Sequence, residues 1–266
     1  MKKSKLLWIM GLVIIVINLY VYIFKPGGDV VLKYFSDILP VICSFITVLG
    51  LSAALKSFKV FDQAKLSWFL LLIGIVLFFL GETIYGVLEL VFKVDVANVF
   101  PTYADWIGWI PGYIPMIIGL WLLVNGYKKS GFSFGNPRTY VLASIFFILL
   151  AVAIITTILI PIAHDSETST IAKYVYFYYP IFDIFIIVPA VILAYITNLF
   201  GKAKISLPWR YIALGFICMT IADILYSYLQ WSSQYGSGNY TDLAWHAGYL
   251  FIALGGLYQK ELIDSV

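Results

Sequence analysis

The chain has 266 residues, of which 62% are hydrophobic and only 12% are charged, and its mean hydropathy is +0.95. Soluble domains usually carry about 25% charged residues. The composition therefore excludes an ordinary soluble domain and predicts a polytopic membrane protein whose main partner is the lipid bilayer. A net charge of +3 is too small to indicate a nucleic acid partner.

Eight apolar stretches follow one another along the chain, separated by polar or turn-rich segments. About 20 apolar residues span the hydrocarbon core of a bilayer. The first stretch is longer than the apolar core of a signal peptide, and no small-residue cleavage site follows it. We predict an all-α integral membrane protein with eight transmembrane helices, at residues 6–24, 34–55, 66–90, 103–126, 139–163, 174–199, 209–231 and 242–259.

Lysine and arginine are distributed unequally between the two sets of loops. With the N-terminus in the cytoplasm, thirteen basic residues lie on the cytoplasmic side and four lie outside. Because cytoplasmic loops are enriched in lysine and arginine, we predict that both termini are cytoplasmic. We expect the plasma membrane of a prokaryote, and no soluble domain at either end.

The sequence contains an internal repeat. The segment around Glu82 and Tyr85 aligns without a gap with the segment around Asp223 and Tyr226, at an offset of 141 residues. Each repeat holds an even number of helices, so the two halves share one orientation in the membrane. This predicts a tandem parallel repeat of four plus four helices, with residues 1–130 as the first half and 131–266 as the second. Further matched pairs are Asp37 with Asp183 and Trp109 with Trp245.

Carboxyl groups inside the predicted helices mark the main candidate site. An ionisable group within the bilayer is expensive and by default indicates a functional site. Glu82, Tyr85 and Glu89 are spaced to share one helical face, and Asp223 and Tyr226 repeat the start of that pattern. Counted at about 1.5 Å per residue, the acids collect in the outer half of the bilayer. The alternative is that each acid only bonds to a neighbouring helix and stabilises the bundle.

We predict an outward-opening, acidic and tyrosine-lined cavity between the halves, without catalytic residues. Its charge favours a small cationic or hydrogen-bond-donating ligand, such as an amine or a metal ion, since hard cations prefer oxygen ligands. No motif implies a cofactor, and the identity of any metal is left open. The predicted ligand-binding residues are Glu82, Tyr85, Asp223 and Tyr226, then Asp37 and Asp183 nearer the mouth, and Trp109 and Trp245.

Three other polar residues in the predicted helices have ordinary structural explanations. Thr102 and Asp105 have the spacing of a capping box, and Asn239 precedes Asp242 at the same distance, so both acids are expected to start helices. His246, alone within a helix, is expected to be a hydrogen-bonded structural residue.

Aromatic residues and prolines add two local expectations. Tyrosines near the start of the sixth predicted helix are expected in the aromatic belt at the membrane interface; they are Tyr174, Tyr176, Tyr178 and Tyr179. Pro111 and Pro115 are expected to distort the fourth helix.

Motifs in both halves resemble those of a known family. The first copy reads Pro101–Thr–Tyr–Ala–Asp105, then Gly112–Tyr113–Ile–Pro115 and Gly119–Leu120; the second includes Ala222–Asp223, Asp242–Leu–Ala–Trp245 and Gly248–Tyr249–Leu250. They resemble the "PSxAD…GYP…GL" pattern of multi-helix membrane sensor regions found N-terminal to GGDEF diguanylate cyclases and histidine kinases. The resemblance implies an input module that senses something at or in the membrane. We expect no output domain, so its signal would pass to a separate cytoplasmic partner.

Three classes of function stay open from the sequence. A sensor-like ligand-binding module is the leading interpretation. A small proton- or cation-coupled transporter is second, because tandem repeats and intramembrane acids are common there, although transporter sites usually lie near the midplane. An intramembrane enzyme using paired carboxylates for acid–base chemistry is third, since the chain has no known nucleophile, phosphate-binding or metal motif.

Overall fold

The computed structural model describes residues 3–94, 96, 99–131, 133–200, 204–236 and 238–265, and these contain eight long helices and no strand. The predicted all-α class is confirmed within these residues. The helices are α1 Lys3–Phe24, α2 Gly28–Ser57, α3 Gln63–Leu90, α4 Asp105–Lys129, α5 Pro137–His164, α6 Thr170–Leu199, α7 Lys204–Trp231 and α8 Asp242–Ile263. Lys2 and Lys202, two of the predicted cytoplasmic lysines, lie outside the described residues.

Six of the eight described helices begin earlier than predicted, and a polar side chain caps the first turn of α3 and of α6. Asp62 caps α3 by accepting a hydrogen bond from the Lys65 backbone N–H at 2.8 Å. Ser169 caps α6 by accepting from the Ala172 backbone N–H at 3.2 Å. Such caps satisfy backbone groups that the helix itself leaves unpaired.

Helices α1 to α7 are each long and apolar enough to cross a membrane, which is the pattern of a multi-pass membrane protein. The last helix, α8, does not reach that apolarity. It carries Asp242, His246, Lys260 and Glu261, yet much of it is buried, with Tyr249 only 1% exposed. A helix surrounded by other helices faces little lipid, so its sequence does not need a continuous apolar surface.

Contacts between helix ends show that consecutive helices run antiparallel. The Ser4 backbone N–H donates to Glu261 Oε1 at 3.0 Å, which joins the start of α1 to the end of α8. The rings of Trp68 and Trp209, at the starts of α3 and α7, have centroids 5.1 Å apart. Further ring pairs at this end are Tyr127 with Phe200, Tyr140 with Tyr195 and Tyr211 with Tyr258. The basic segments near residues 56–65, 128–138 and 204–210 collect here, and we call it the lysine-rich end.

The opposite end of the bundle, the lysine-poor end, is joined by contacts that involve acids. Lys33 at the start of α2 forms an ion pair of 2.8 Å with Glu89 at the end of α3. Tyr22 near the end of α1 donates to Asp242 at the start of α8, also at 2.8 Å. The acids of the chain therefore contribute to helix association here, whereas basic side chains dominate the other end.

Close backbone contacts through glycine include one between α3 and α4 and one between α7 and α8. A Cβ atom added to Gly74 of α3 would lie 2.6 Å from the carbonyl oxygen of Gly112 in α4. One added to Gly215 of α7 would lie 2.8 Å from the carbonyl oxygen of Gly248 in α8. Small residues let helix backbones approach closely, as membrane helices commonly do. The pairs α3–α4 and α7–α8 are thus each packed through two glycines that face each other.

Large apolar side chains fill the interior between these glycine contacts and the lysine-rich end. Trp68 and Trp209 are at most 3% exposed. The same core includes Leu71, Ile75, Met116, Leu120, Ile212 and Phe216. This part of the interior is closely packed, whereas the lysine-poor half contains the polar residues described below.

Helices α4 and α5 each contain a turn of π-helix just before a proline. The π turns span Asp105–Trp109 and Ile155–Leu159, and Pro111 and Pro161 follow each by two residues. Proline lacks the N–H that would bond to the carbonyl four residues earlier, and a π turn is a common local adjustment in helices, often at functional sites. The expected distortion of the fourth helix by Pro111 is thus located at residues 105–109.

The loop between α5 and α6 is attached to the end of α7 through Asp165. Trp231 Nε1 donates to Asp165 Oδ2 at 2.8 Å. Hydrogen bonds from the Thr168 hydroxyl, the Glu167 backbone N–H and Trp231 lower the pKa of Asp165 from 3.8 to about 2. The ionised form of Asp165 is therefore stabilised by folding.

Replacing Gly256 tests the contact between α2 and α8. A Cβ there would lie 2.5 Å from the carbonyl oxygen of Gly50, and backbone cannot turn aside as a side chain can. We expect Gly256→Ala to lower the free energy of unfolding by about 1–3 kcal/mol, measured by denaturation in detergent. Gly11→Ala is the control, because its Cβ would meet only Leu250 Cδ1 at 3.6 Å; equal effects of the two substitutions would contradict this packing.

The depressed pKa of Asp165 predicts a pH-dependent stability. A carboxyl whose pKa falls on folding stabilises the folded state above its unfolded pKa, near 4, and this contribution is lost as pH falls through about 2. We expect Asp165→Asn to lower the melting temperature at pH 7, and the difference from wild type to shrink toward pH 2. Ser166→Ala, which changes no ionisable group in the same loop, should show no such trend. A difference that is constant with pH would contradict this account.

Candidate functional site

A cavity of about 250 Å³ lies toward the lysine-poor end of the bundle, between side chains of α2, α3, α4, α6, α7 and α8. Five acids line it, namely Asp37, Glu82, Glu89, Asp223 and Asp242. Nine aromatic residues line it as well, namely Phe78, Tyr85, Trp109, Tyr113, Tyr179, Tyr226, Tyr235, Trp245 and Tyr249. Among the described lining residues there is no lysine or arginine. The site is thus a cavity lined by acids and aromatic rings.

Glu82 of α3 is held by aromatic donors from α4 and α8. Tyr249 Oη donates to Glu82 Oε1 at 2.6 Å, and the Trp109 indole N–H forms a second hydrogen bond with the same carboxyl group. Tyr249 belongs to the second half of the chain, whereas Glu82 and Trp109 belong to the first. One tyrosine therefore joins the two halves at this acid.

Asp223 of α7 has a matching set of partners. Trp245 Nε1 donates to Asp223 Oδ1 at 2.7 Å, and Tyr113 Oη lies 2.9 Å from Asp223 Oδ2. Here the tryptophan comes from the second half and the tyrosine from the first. Glu82 and Asp223 are thus each held by one tyrosine and one tryptophan, and in each case the tyrosine comes from the other half of the chain.

Tyr113 also contacts a second acid. Its hydroxyl lies 2.9 Å from Asp183 Oδ1 as well as from Asp223 Oδ2. A phenol has one hydrogen to donate. It can bond fully to both oxygens only when one acid carries a proton and donates in return. Asp183, Asp223 and Tyr113 form one hydrogen-bonded group, of which only Asp183 lies outside the cavity lining.

The acids nearer the start of α2 have a different arrangement. Asp37 is in hydrogen-bonding contact with Glu89, and Glu89 is paired with Lys33 at 2.8 Å. Asp37 is only 6% exposed, and its Oδ2 has no hydrogen-bond partner among the described residues. A buried carboxyl oxygen without a partner is costly and unusual in folded proteins.

Asp242 lines the cavity although the sequence suggested only a helix start. Its two carboxyl oxygens accept hydrogen bonds from Tyr22 and Tyr235, both at 2.8 Å. Asp105, the matched acid, does support a helix start, because it accepts from the Thr102 backbone N–H at 2.7 Å. The capping interpretation therefore holds for Asp105 and is incomplete for Asp242.

Neutral donors rather than cations satisfy most of these acids. Tyrosine hydroxyls and tryptophan N–H groups bind Glu82, Asp223 and Asp242, and in the described part of the chain one lining acid, Glu89, is paired with a cation, Lys33. Hydrogen bonds from neutral groups stabilise a carboxylate without cancelling its charge. Within the described residues, no three His, Cys, Asp or Glu side chains are grouped so that they could hold a metal ion.

Seven of the eight predicted ligand-binding residues line this one cavity. They are Asp37, Glu82, Tyr85, Trp109, Asp223, Tyr226 and Trp245. The position of Asp183 differs from the expected one near the mouth of the cavity. It is 2% exposed and outside the lining, because Tyr113 from α4 stands between it and the cavity.

Several lining residues were missed because their contacts cross between helices. Tyr179, which is expected in the aromatic belt, is only 5% exposed and donates to Asp105. Tyr176 is equally buried, so the belt interpretation was wrong for both, whereas Tyr174 is 69% exposed. Tyr113 and Tyr249 had a usable signal, since they occupy the same place in the repeated motif.

His246 is completely buried and makes a hydrogen bond through Nδ1 with the Asn18 side chain of α1. It does not line the cavity. The expected structural role agrees with this geometry, in which the bond joins α1 to α8. Its Nε2 has no hydrogen-bond partner among the described residues.

Comparison with protein-family models, with curated proteins and with solved structures finds no match to this chain.

Trp245→Phe tests whether indole donors hold the cavity acids. The substitution keeps a ring but removes the N–H that binds Asp223, leaving a buried carboxyl less satisfied. We expect the free energy of unfolding to fall by about 1–3 kcal/mol, measured by denaturation in detergent. Trp106→Phe is the control, because Trp106 is 51% exposed on α4 and should be nearly neutral. Equal stability of Trp245→Phe and wild type would show that the bond contributes nothing.

Proposed function

We propose that this protein is a membrane-embedded, sensor-like module that binds a small ligand in the acidic aromatic cavity. One observation carries the proposal: Glu82 and Asp223, matched acids from the two halves, lie in one cavity and are held by equivalent donors. Acids that only stabilised the bundle would need no cavity beside them. Here the carboxyl groups border open space, where a ligand can reach them.

The proposal includes a tandem parallel repeat of four plus four transmembrane helices, with α8 as the eighth. The glycine pairs Gly74–Gly112 and Gly215–Gly248 support it, because they pack α3–α4 and α7–α8 in the same way. The exchanged tyrosines also support it. Residues 1–130 and 131–266 would then be the two halves, with the cavity between them.

We further propose that the lysine-rich end faces the cytoplasm of a prokaryotic cell and that the cavity opens outward. The distribution of basic residues supports this orientation, since cytoplasmic loops are enriched in lysine and arginine. Both termini would be cytoplasmic. A ligand would then enter from outside the plasma membrane.

Packing favours a sensor over a proton- or cation-coupled transporter. A transporter needs a path from its site to both sides of the membrane. Toward the lysine-rich end, the interior below the cavity contains Trp68, Trp209 and other buried apolar side chains. Binding without passage is the simpler use of such a structure, and the motif resemblance to membrane sensor regions agrees with it. The signal would reach a separate cytoplasmic partner.

A liposome experiment tests the proposal. The purified full chain is screened with inorganic cations, amines and neutral hydrogen-bond donors for thermal stabilisation, and each hit is then tested for uptake into liposomes. We expect at least one hit whose stabilisation disappears in Glu82→Gln and Asp223→Asn, without transmembrane flux. Lys129→Gln, at the lysine-rich end, is the control and should keep the response.

The other outcomes of that screen are equally informative. Flux that the same two substitutions abolish would replace the sensor with a transporter. Stabilisation by no compound of any class would overturn the ligand-binding proposal and leave the acids as structural residues that join helices.

A further inference from the structure

We infer that the cavity is built for an organic ammonium ion, a small molecule whose positive nitrogen is carried on an apolar body. This inference rests on the proposed function and specifies the class of its ligand. It follows from four features of the cavity: the sign of its charge, the arrangement of its rings, its size and one carboxyl oxygen without a partner.

The charge of the lining favours a cation. Five acids border the cavity and no basic residue does among the described ones. Tyrosine and tryptophan donors supply no countercharge, and a carboxylate can accept about four hydrogen bonds, so Glu82 and Asp223 keep free acceptor capacity. Burying a charge is strongly unfavourable unless it is paired, and a cationic ligand supplies that pairing.

The rings favour an organic cation over a bare metal ion. Beside Asp223, Tyr226, Tyr235 and Trp245 contact one another edge to face, with centroids 4.8 to 6.3 Å apart and interplanar angles of 62° to 84°. Beside Glu82, Tyr85 and Trp109 have centroids 5.8 Å apart. Rings at steep angles to one another enclose a concave space, whereas parallel rings stack face to face. Such aromatic cages bind ammonium groups through cation–π interactions, with tryptophan the strongest partner.

The size of the cavity limits the ligand. Its volume of about 250 Å³ is below the range of roughly 300–1,000 Å³ that is common for drug-sized ligands. The cavity is still much larger than one metal ion. A small amine or a quaternary ammonium compound therefore suits it, whereas a peptide does not.

Asp37 supplies the independent sign of a missing partner. The residue lines the cavity and is only 6% exposed, and its Oδ2 has no hydrogen-bond partner among the described residues. Buried polar atoms are nearly always paired with protein, water or ligand. A hydrogen-bond donor or a positive charge of the ligand near Asp37 would pair with this oxygen.

The inference is tested with two molecules that differ in charge but hardly in shape, choline and its neutral analogue 3,3-dimethylbutan-1-ol. Binding to the full chain in detergent is measured by isothermal titration calorimetry and by the fluorescence of cavity tryptophans. Butylammonium and butan-1-ol form a second pair with a primary amine. We expect the charged member of at least one pair to bind about tenfold or more tightly than its neutral partner.

Substitutions at Tyr226 separate the ring from its hydroxyl. We expect Tyr226→Phe to keep choline or butylammonium affinity within about twofold, and Tyr226→Leu to weaken it roughly three- to thirtyfold. Retained circular dichroism and melting temperature check that each variant is folded. Equal affinity of Tyr226→Leu and wild type would show that the ring does not contact the cation.

The outcomes distinguish this inference from the proposed function. If a neutral compound or a metal ion binds through Glu82 and Asp223 while both ammonium compounds do not, the ligand class is wrong and the binding module stands. If a neutral analogue binds as tightly as its charged partner, the inference is also overturned. If no compound of any class binds, both fail.

Discussion

The structure depends on how carboxyl groups can be buried in an apolar bundle. An isolated carboxylate in such surroundings is strongly unfavourable, yet Glu82, Asp223 and Asp242 all lie within the helices. Tyrosine hydroxyls and tryptophan N–H groups provide their hydrogen bonds. Because these donors are neutral, they hold the acids in place without supplying a countercharge. The same bonds that fix the helices thus shape the chemistry of the cavity.

Glycines at matched positions set the geometry in which these bonds form. At Gly74 and Gly215, the absence of a side chain lets α3 approach α4 and α7 approach α8. The close approach of these helix pairs fixes the position along the helix axes at which Tyr113 and Tyr249 contact the acids of the other half. Helix packing and the site are therefore linked: a displaced backbone contact would move a tyrosine away from its carboxyl partner.

Much of the fold and part of the site were predictable from the sequence, for reasons that differ between residues. The helices follow from apolar length, and Glu82 and Asp223 follow from the cost of an acid in an apolar helix and from their matched spacing. Tyr249 shares a motif position with Tyr113, but its contact with Glu82 and that of Asp242 with Tyr22 could not be predicted, because each joins helices distant in sequence. Asp183 shows the same limit, since only the packing of Tyr113 against α6 and α7 places it behind the cavity.

A double-mutant cycle between Tyr249 and Glu82 tests the central claim most directly. The free energy of unfolding is measured for wild type, Tyr249→Phe, Glu82→Met and the double variant, with methionine keeping the side-chain length but not the acceptor. The account predicts a coupling energy of about 1–3 kcal/mol. A control cycle between Tyr249 and Glu261, at opposite parts of α8, should be additive within about 0.5 kcal/mol. Additivity of Tyr249 and Glu82 as well would contradict the claim that tyrosines from one half hold the acids of the other.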